Sequence, residues 1–107
     1  VPIIGFPRGG RAWLAAYAAG TGVDCVGIDT ATPLAEACRA LPQGVAVQGN
    51  LDPRLVVAGG EALLAAVQAV RGAARQRPHV FNLGHGITPE TPPAHVALLV
   101  AALRRPT

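Results

Sequence analysis

His85 is the residue whose type and setting point most directly to chemistry. It stands in the segment HVFNLGHGITPETPP, residues 79–93, with Gly84 and Gly86 on either side. Glycines remove side-chain bulk, so a ligand can approach the backbone closely. Histidine titrates near neutral pH and can therefore donate a hydrogen bond to a carboxylate or pair with it. The pattern predicts a binding loop; a histidine tolerated in a glycine-rich turn is the alternative.

Arg8 is a second candidate for contact with an anion. It lies between Pro7 and the pair Gly9–Gly10, just ahead of a predicted helix. Backbone N–H groups and the dipole at a helix N-terminus favour negative charge at such a place. A plain surface arginine fits the same pattern equally well.

Two aspartates follow predicted strands, and for both we favour a structural role. Asp29 ends a buried strand, where it can contact a ligand or pair with a neighbouring loop. Asp52, in the segment NLDP, is expected to accept hydrogen bonds from backbone amides ahead of Pro53.

The residues that commonly bind metals or act as nucleophiles do not form a known constellation. The three histidines do not fall at ligand spacing, and neither Cys25 nor Cys38 adjoins one. Serine is absent, GHG does not satisfy the dinucleotide pattern, and no phosphate-binding P-loop occurs. We predict that the cysteines are small core residues in a reducing compartment, and that His79 and His95 are exposed.

Short apolar runs alternate with alanine-rich segments along the whole chain. The predicted strands are residues 1–6, 24–29, 45–50 and 79–84, and the predicted helices are 11–20, 32–41, 61–75 and 92–103. Alternating units of this kind imply a parallel sheet, and strands that are apolar throughout imply cover on both faces.

The helix ends and helix faces are also readable. Thr32 and Thr91 are predicted N-caps and Gly20 a C-cap. Trp13 and Tyr17, four residues apart, are predicted to pack in the core or at an interface. The helix residues predicted to face inward are Leu34, Cys38, Leu41, Leu63, Val67, Val70, Ala74, Val96, Leu99, Val100 and Leu103.

Polar residues concentrate after the strands rather than before them. Those at the carboxyl ends are Arg8, Asp29, Gln48, Asn50, Asp52, Asn82 and His85. Ligands bind at this end of the sheet in parallel α/β folds and barrels. The asymmetry favours a binding site there, although aspartate and asparagine are also common in turns.

Composition narrows the class of protein. Half of the 107 residues are hydrophobic and 14% are charged, which favours a packed core over disorder. The net charge of +3 suits an anionic ligand, but the basic residues do not form the stripe typical of a nucleic-acid binder. No apolar run approaches membrane-spanning length, and no secretory signal is visible.

Four βα units fit either a small open sheet or half of a (β/α)₈ barrel. The sequence has no methionine and opens at Val1 within a predicted strand. We therefore expect a segment cut from a longer chain, namely residues 1–107 as one piece of a barrel domain, its C-terminal half.

Three segments in this order resemble the C-terminal third of the uroporphyrinogen decarboxylase family. They are VGIDTATPLAEA, VAVQGNLDP and FNLGHGITPETPPAHV, and the opening VPIIGFPRGG fits the same register. The resemblance covers essentially the whole chain.

The resemblance implies a (β/α)₈ barrel that works in the cytoplasm, usually as a homodimer. It implies removal of the carboxyl groups of the four acetate side chains of uroporphyrinogen, giving coproporphyrinogen for haem synthesis. It implies no metal and no organic cofactor, with a protonated pyrrole ring as the electron sink.

The resemblance assigns one site residue directly. His85 matches the substrate-contacting histidine of the motif NLGHG, while Arg8 matches no fixed family role and Tyr17 is not at the place of the family's tyrosine. The family's other key groups lie upstream. We predict His85, Gly84, Gly86 and Arg8 as substrate-binding residues, no catalytic residue in this segment, and no decarboxylase activity for it alone.

Two rival functions remain open at this point. One is a cobalamin-linked methyltransferase of a related barrel that activates a thiol on zinc, which requires a Cys/His metal set at the strand ends. The other is a non-enzymatic binding module built on an open four-stranded sheet.

Overall fold

Four parallel strands and five helices make up the part of the chain that the computed structural model describes, residues 1–105. The strands are β1 (Ile4–Gly5), β2 (Cys25–Gly27), β3 (Ala46–Gln48) and β4 (His79–Val80). The helices are α1 (Leu14–Thr21), which continues a 3-10 turn at Arg11–Trp13, then α2 (Leu34–Ala40), α3 (Pro53–Ala58), α4 (Gly60–Ala73) and α5 (Pro93–Leu103).

The strands lie side by side in the order of the chain, β1-β2-β3-β4, and every neighbouring pair is parallel. Gly5, Val26, Val47 and His79 form one row across the sheet. Parallel strands place their carboxyl ends at a common edge, so the loops that follow them meet there. The predicted α/β class and parallel sheet are confirmed.

Helices cover one face of this sheet. Val26, Ile28 and Val47 are buried on it beneath Leu14 of α1 and Leu34 of α2. A second cluster joins the last three helices to the chain after β3; its buried members are Leu51, Val56, Leu63, Val67, Leu99 and Ala102. The predicted inward stripe of α4 is confirmed. Leu63 and Val67 belong to this second cluster, Ala74 packs with the residues on the covered face of the sheet, and Val70 contacts both groups.

The opposite face of the sheet is open. Side chains alternate between the two faces along a strand, so the neighbours of Gly5 and His79 point to this open face. These neighbours are Ile4, Phe6 and Val80, which are 50%, 48% and 48% exposed. Parallel sheets are ordinarily covered on both faces. This open face therefore carries apolar side chains that the described residues leave in contact with solvent.

The helix α3 was not expected from the sequence. Asp52 caps it and Pro53 occupies its first turn, yet it is only six residues long and contains two valines. It ends at Gly59, where φ is 66°. A Cβ atom there would lie 2.7 Å from Cε1 of His95, so both the backbone angle and the lack of space require glycine.

Several predicted helix ends are wrong by one or two residues. Pro33 and Pro92 hold the N-cap positions of α2 and α5, because the hydroxyls of Thr32 and Thr91 bond elsewhere: Thr32 donates to Asp29, and Thr91 pairs with a neighbouring threonine. The helix α1 runs past Gly20 to Thr21 and ends at Gly22, whose φ is 67°.

Three predicted side-chain environments are also wrong, and one prediction is narrowed. Trp13 is 69% exposed and so is not a core residue, because it belongs to the 3-10 turn rather than to the face of α1 that Tyr17 uses; packing at an interface stays a prediction. Val100 is 40% exposed, and Ala102 takes the inward position on α5. His79 and His95 are half-buried rather than exposed, since each ring bonds a backbone carbonyl.

None of the helices in residues 1–105 combines the length and the apolar character that crossing a lipid bilayer requires.

Candidate functional site at the carboxyl edge of the sheet

The loops at the carboxyl edge enclose an open cavity of about 360 Å³. Its polar lining comes from the ends of three strands. Arg8 follows β1, Gln48 ends β3, and Asn82 and His85 follow β4. Its remaining lining is apolar or glycine: Phe6, Gly27, Ile28, Leu83, Gly84 and Gly86. All four residues predicted to bind substrate thus line one cavity.

Gly84 brings the histidine loop into contact with the loop after β2. Its N–H donates to the carbonyl of Leu51 at 2.8 Å. A Cβ atom at this position would overlap the hydroxyl and backbone nitrogen of Thr30. The Thr30 hydroxyl is itself buried, with no hydrogen-bond partner among residues 1–105. Only glycine permits this approach, and the loop then leaves His85 exposed at the cavity.

Arg8 is held at the cavity through its neighbour. The N–H of Gly9 donates to the Asp29 carboxylate at 2.7 Å, and the other oxygen of that carboxylate accepts from the Thr32 hydroxyl at 3.2 Å. Asp29 is buried and does not line the cavity. The structural role favoured for Asp29 is confirmed: it joins the loop after β1 to the loop after β2.

Asn50 continues this bracing from the loop after β3. Its side-chain nitrogen donates to the carbonyl oxygens of Asp29, at 2.9 Å, and of Thr32. Asn50 is buried, so its polar atoms serve the loop framework and not the cavity. Three consecutive βα loops are therefore tied together behind the cavity wall.

Asp52 has a structural role, as we expected, but the amide that it binds follows Pro53 and begins a helix rather than a turn. Its carboxylate accepts a hydrogen bond from the N–H of Arg54 at 2.9 Å, which caps α3, and pairs with the Arg54 guanidinium at 2.7 Å. The hydrogen bond from the Arg54 side chain holds the pKa of Asp52 below its ordinary value, and the nearby charge of His85 adds a smaller lowering.

The other two histidines are structural. Nε2 of His79 lies 2.6 Å from the carbonyl oxygen of Gly49, and Nδ1 of His95 lies 2.7 Å from that of Val56. Cys25 is buried in β2, as predicted, whereas Cys38 is half-buried in α2, and both are free thiols. Across residues 1–105, no three His, Cys, Asp or Glu side chains gather closely enough to hold a metal ion.

The cavity combines hydrogen-bond donors with apolar walls. Arginine donates in a fork that matches a carboxylate, and a protonated or neutral histidine can donate as well. None of the described residues lining the cavity is acidic. An anionic ligand that also has apolar parts fits this arrangement.

Phe6 is a cavity residue that sequence reasoning missed. A Cβ atom on Gly27 would lie 2.8 Å from Cδ1 of Phe6, so the ring lies over Gly27 on the open face of the sheet. Gln48 lines the same cavity, and the sequence alone marks it only as one of several polar residues at strand ends. The signal for Phe6 was its alternation with the covered row in the first strand.

The family described as uroporphyrinogen decarboxylase (URO-D) matches residues 1–106. The chain is 57% identical over 104 residues to the uroporphyrinogen decarboxylase of Rhizorhabdus wittichii, which covers 97% of the chain and 30% of that protein. Identity to the uroporphyrinogen decarboxylase of Mesorhizobium japonicum is 54% over 104 residues, with the same coverage.

A third relative, the uroporphyrinogen decarboxylase of Erythrobacter litoralis, is 53% identical over 102 residues, or 95% of the chain and 30% of that protein. The chain thus spans about 30% of the length of these curated relatives. The family match extends across all four strands and the cavity that their loops form. This chain belongs to the uroporphyrinogen decarboxylase family.

Proposed function

We propose that this chain is the carboxyl-terminal part of a uroporphyrinogen decarboxylase and supplies one wall of its substrate site. The observation that carries the proposal is the convergence of His85 and Arg8 on one cavity at the carboxyl edge of the sheet, within a chain of this family. The relatives that share about half of its residues bear the name of this activity.

The architecture that goes with this function is a (β/α)₈ barrel of which the chain forms the last four units. Two features support it. The strand order follows the chain order, as in a barrel, and the helices lie on one face only. In a closed barrel the open face, with Ile4, Phe6 and Val80, becomes the interior that side chains from all eight strands fill.

The substrate in this proposal is uroporphyrinogen, a tetrapyrrole with many carboxylates. Arg8 and His85 donate hydrogen bonds to its carboxylates, and Phe6 supplies an apolar surface for a pyrrole ring. The basic charge balance of the chain favours such a polyanion. The proposal includes activity in the cytoplasm, as a homodimer, without metal or organic cofactor.

The proposed chemistry is loss of carbon dioxide from each acetate side chain. The bond between the methylene carbon and the carboxylate breaks, carbon dioxide leaves, and the electron pair passes to the protonated pyrrole ring. A proton then converts the methylene to a methyl group, and the ring releases the proton that it had gained, so each cycle consumes one proton in total. Within this segment, His85 and Arg8 orient and neutralise carboxylates. The groups that handle the reacting ring belong to the upstream part, so residues 1–107 alone have no turnover.

A chimera tests the proposal. Residues 1–107 replace the matching 30% of the Rhizorhabdus wittichii protein, and formation of coproporphyrinogen from uroporphyrinogen is measured. We expect the chimera to be active, since the identity of 57% runs along the whole segment. We expect His85→Ala in the chimera to lower kcat/KM by roughly 100-fold, the scale for losing a hydrogen bond to a charged group in a desolvated site.

Ile87→Ala is the matched control. Ile87 is exposed in the same loop and does not line the cavity, so its loss leaves turnover near that of the parent chimera. A folded chimera that does not turn over, or one in which His85→Ala and Ile87→Ala behave alike, contradicts the proposed role of this segment.

A further inference from the structure

A second cleft, of about 720 Å³, lies at the opposite end of the sheet from the candidate substrate cavity. It is formed by the last turns of α2 and α4 and by the loops that lead into β3 and β4. Three of the nine arginines of the chain line it, Arg39, Arg75 and Arg77, together with the amides Gln43 and Gln76. No aspartate or glutamate of the described chain does so.

Arg77 builds the floor of the cleft. One nitrogen of its guanidinium donates to the carbonyls of Pro42, at 2.8 Å, and Val45, at 2.6 Å. The other donates to the carbonyls of Cys38, at 2.8 Å, and Leu41, at 3.2 Å. These bonds fix the loop between α2 and β3 against the segment before β4, so the shape of the cleft is set by the protein itself.

Arg39 and Arg75 are available to a ligand. Both side chains are exposed, and neither makes a hydrogen bond or an ion pair with any residue from 1 to 105. Glu36, one turn before Arg39, interacts with it electrostatically. The Glu36 carboxylate, however, already forms an ion pair with Arg11 at 2.6 Å. Two arginines thus face the cleft without a counter-charge.

The positive potential reaches the thiol that lines the cleft. Burial raises the pKa of Cys38, while the charges of Arg77 and Arg39 act in the opposite direction. Cys38, Arg39 and Arg77 all line the cleft, so the two charges lie on the same concave surface.

We propose that this cleft is a second binding site, for a small anion that carries two or more phosphate or carboxylate groups. Arginine forks match both kinds of oxyanion in a bidentate manner, and two free forks at one cleft call for more than one anionic group. The amides of Gln43 and Gln76 add neutral donors. The site is separate from the cavity of Arg8 and His85, which lies beyond the opposite ends of the strands.

Titration calorimetry on the chimera described above, at fixed ionic strength, tests the proposal with pyrophosphate and citrate as probes. We expect at least one of them to bind, and Arg39→Ala with Arg75→Ala to weaken that binding at least tenfold, as expected for loss of charge-assisted hydrogen bonds. The probe that binds more tightly identifies phosphate or carboxylate as the preferred group.

The matched control is Arg104→Ala with Arg105→Ala, which removes the same charge from exposed positions that do not line the cleft. This control is expected to change the affinity less than twofold, about the scale of a screened surface charge. Equal weakening by both double variants overturns the proposal in favour of general charge attraction. Absence of binding by both probes, or loss of binding through Arg8→Ala instead, overturns it as well.

Discussion

The carboxylate of Asp29 and the N–H of Gly9 lie 2.7 Å apart and join the first two loops of the carboxyl edge. Through this bond, a buried side chain sets the position of the backbone next to Arg8. We predict that Asp29→Asn in the active chimera lowers kcat/KM roughly tenfold, because an amide offers one acceptor oxygen in place of two and the Arg8 loop moves. Steady-state kinetics measure this.

Asp24 provides a matched comparison at the other end of the same strands. Its carboxylate accepts from the N–H of Ile3 at 2.8 Å, in an exposed setting far from the cavity. Asp24→Asn is expected to leave kcat/KM within about twofold of the parent. If the two variants lose activity equally, the link from Asp29 to Arg8 does not position the substrate site.

Gly84 and Gly86 flank the same histidine but differ in the space around them. Gly84→Ala drives a methyl group into Thr30, which we expect to destabilise the fold by about 1–3 kcal/mol and to displace His85. Gly86→Ala meets no atom within 4 Å and should change stability by less than about 0.5 kcal/mol. Urea unfolding of the two variants measures the difference, and equal stabilities count against the contact between the loops.

Arg77 stabilises the fold by binding carbonyls from the end of α2 and the loop after it. We predict that Arg77→Ala lowers the free energy of unfolding by about 2–4 kcal/mol, since several partly buried carbonyls lose a charged donor at once. Arg75→Ala, two residues earlier and exposed, should cost less than about 0.5 kcal/mol in buffer without multivalent anions. Thermal unfolding that shifts equally for both variants excludes the structural role of Arg77.

Asp52 gives the stability of the fold a dependence on acid pH. Its folded-state pKa is lowered, first by the hydrogen bond from Arg54, so the carboxylate contributes stability above its ordinary value of 3.8. That contribution is lost as the pH falls from about 3.8 through the lowered pKa. Asp52→Asn keeps an N-cap oxygen for Arg54 but has no such titration.

The midpoint of denaturant unfolding, measured at several values between neutral pH and pH 3, therefore distinguishes the parent protein from Asp52→Asn. The parent protein should lose more stability than Asp52→Asn across the acid range, while Asp52→Ala, which lacks the cap, should be weaker by about 1 kcal/mol at neutral pH. An identical pH profile for the parent and Asp52→Asn contradicts the assignment of this carboxylate.

The order and type of the main elements could be predicted because short apolar runs alternate with alanine-rich segments. Strand lengths could not, since apolar residues continue past the end of pairing: β4 stops at Val80, and beyond it only Leu83 forms a bridge, to Leu51. The helix α3 escaped prediction because its valines and the glycines that follow argue against a helix.

The candidate site was predictable only in part. Glycines around His85 marked the loop, and the family motif marked the histidine itself. The sequence gives no sign that Thr30 lies beneath Gly84 or that Asn50 ties Asp29 to its neighbours, because these contacts join loops that are distant along the chain and meet only when the strands align. Tertiary packing alone decides them.

A sheet that helices cover on one face only can be stabilised further by a polypeptide that packs on its other face. Ile4, Phe6 and Val80 lie together on the open face, and each square ångström of their apolar surface that a partner withdraws from water lowers the free energy by about 25 cal/mol. Substitutions at these three positions are therefore expected to weaken packing against a polypeptide on the open face more than packing within residues 1–105.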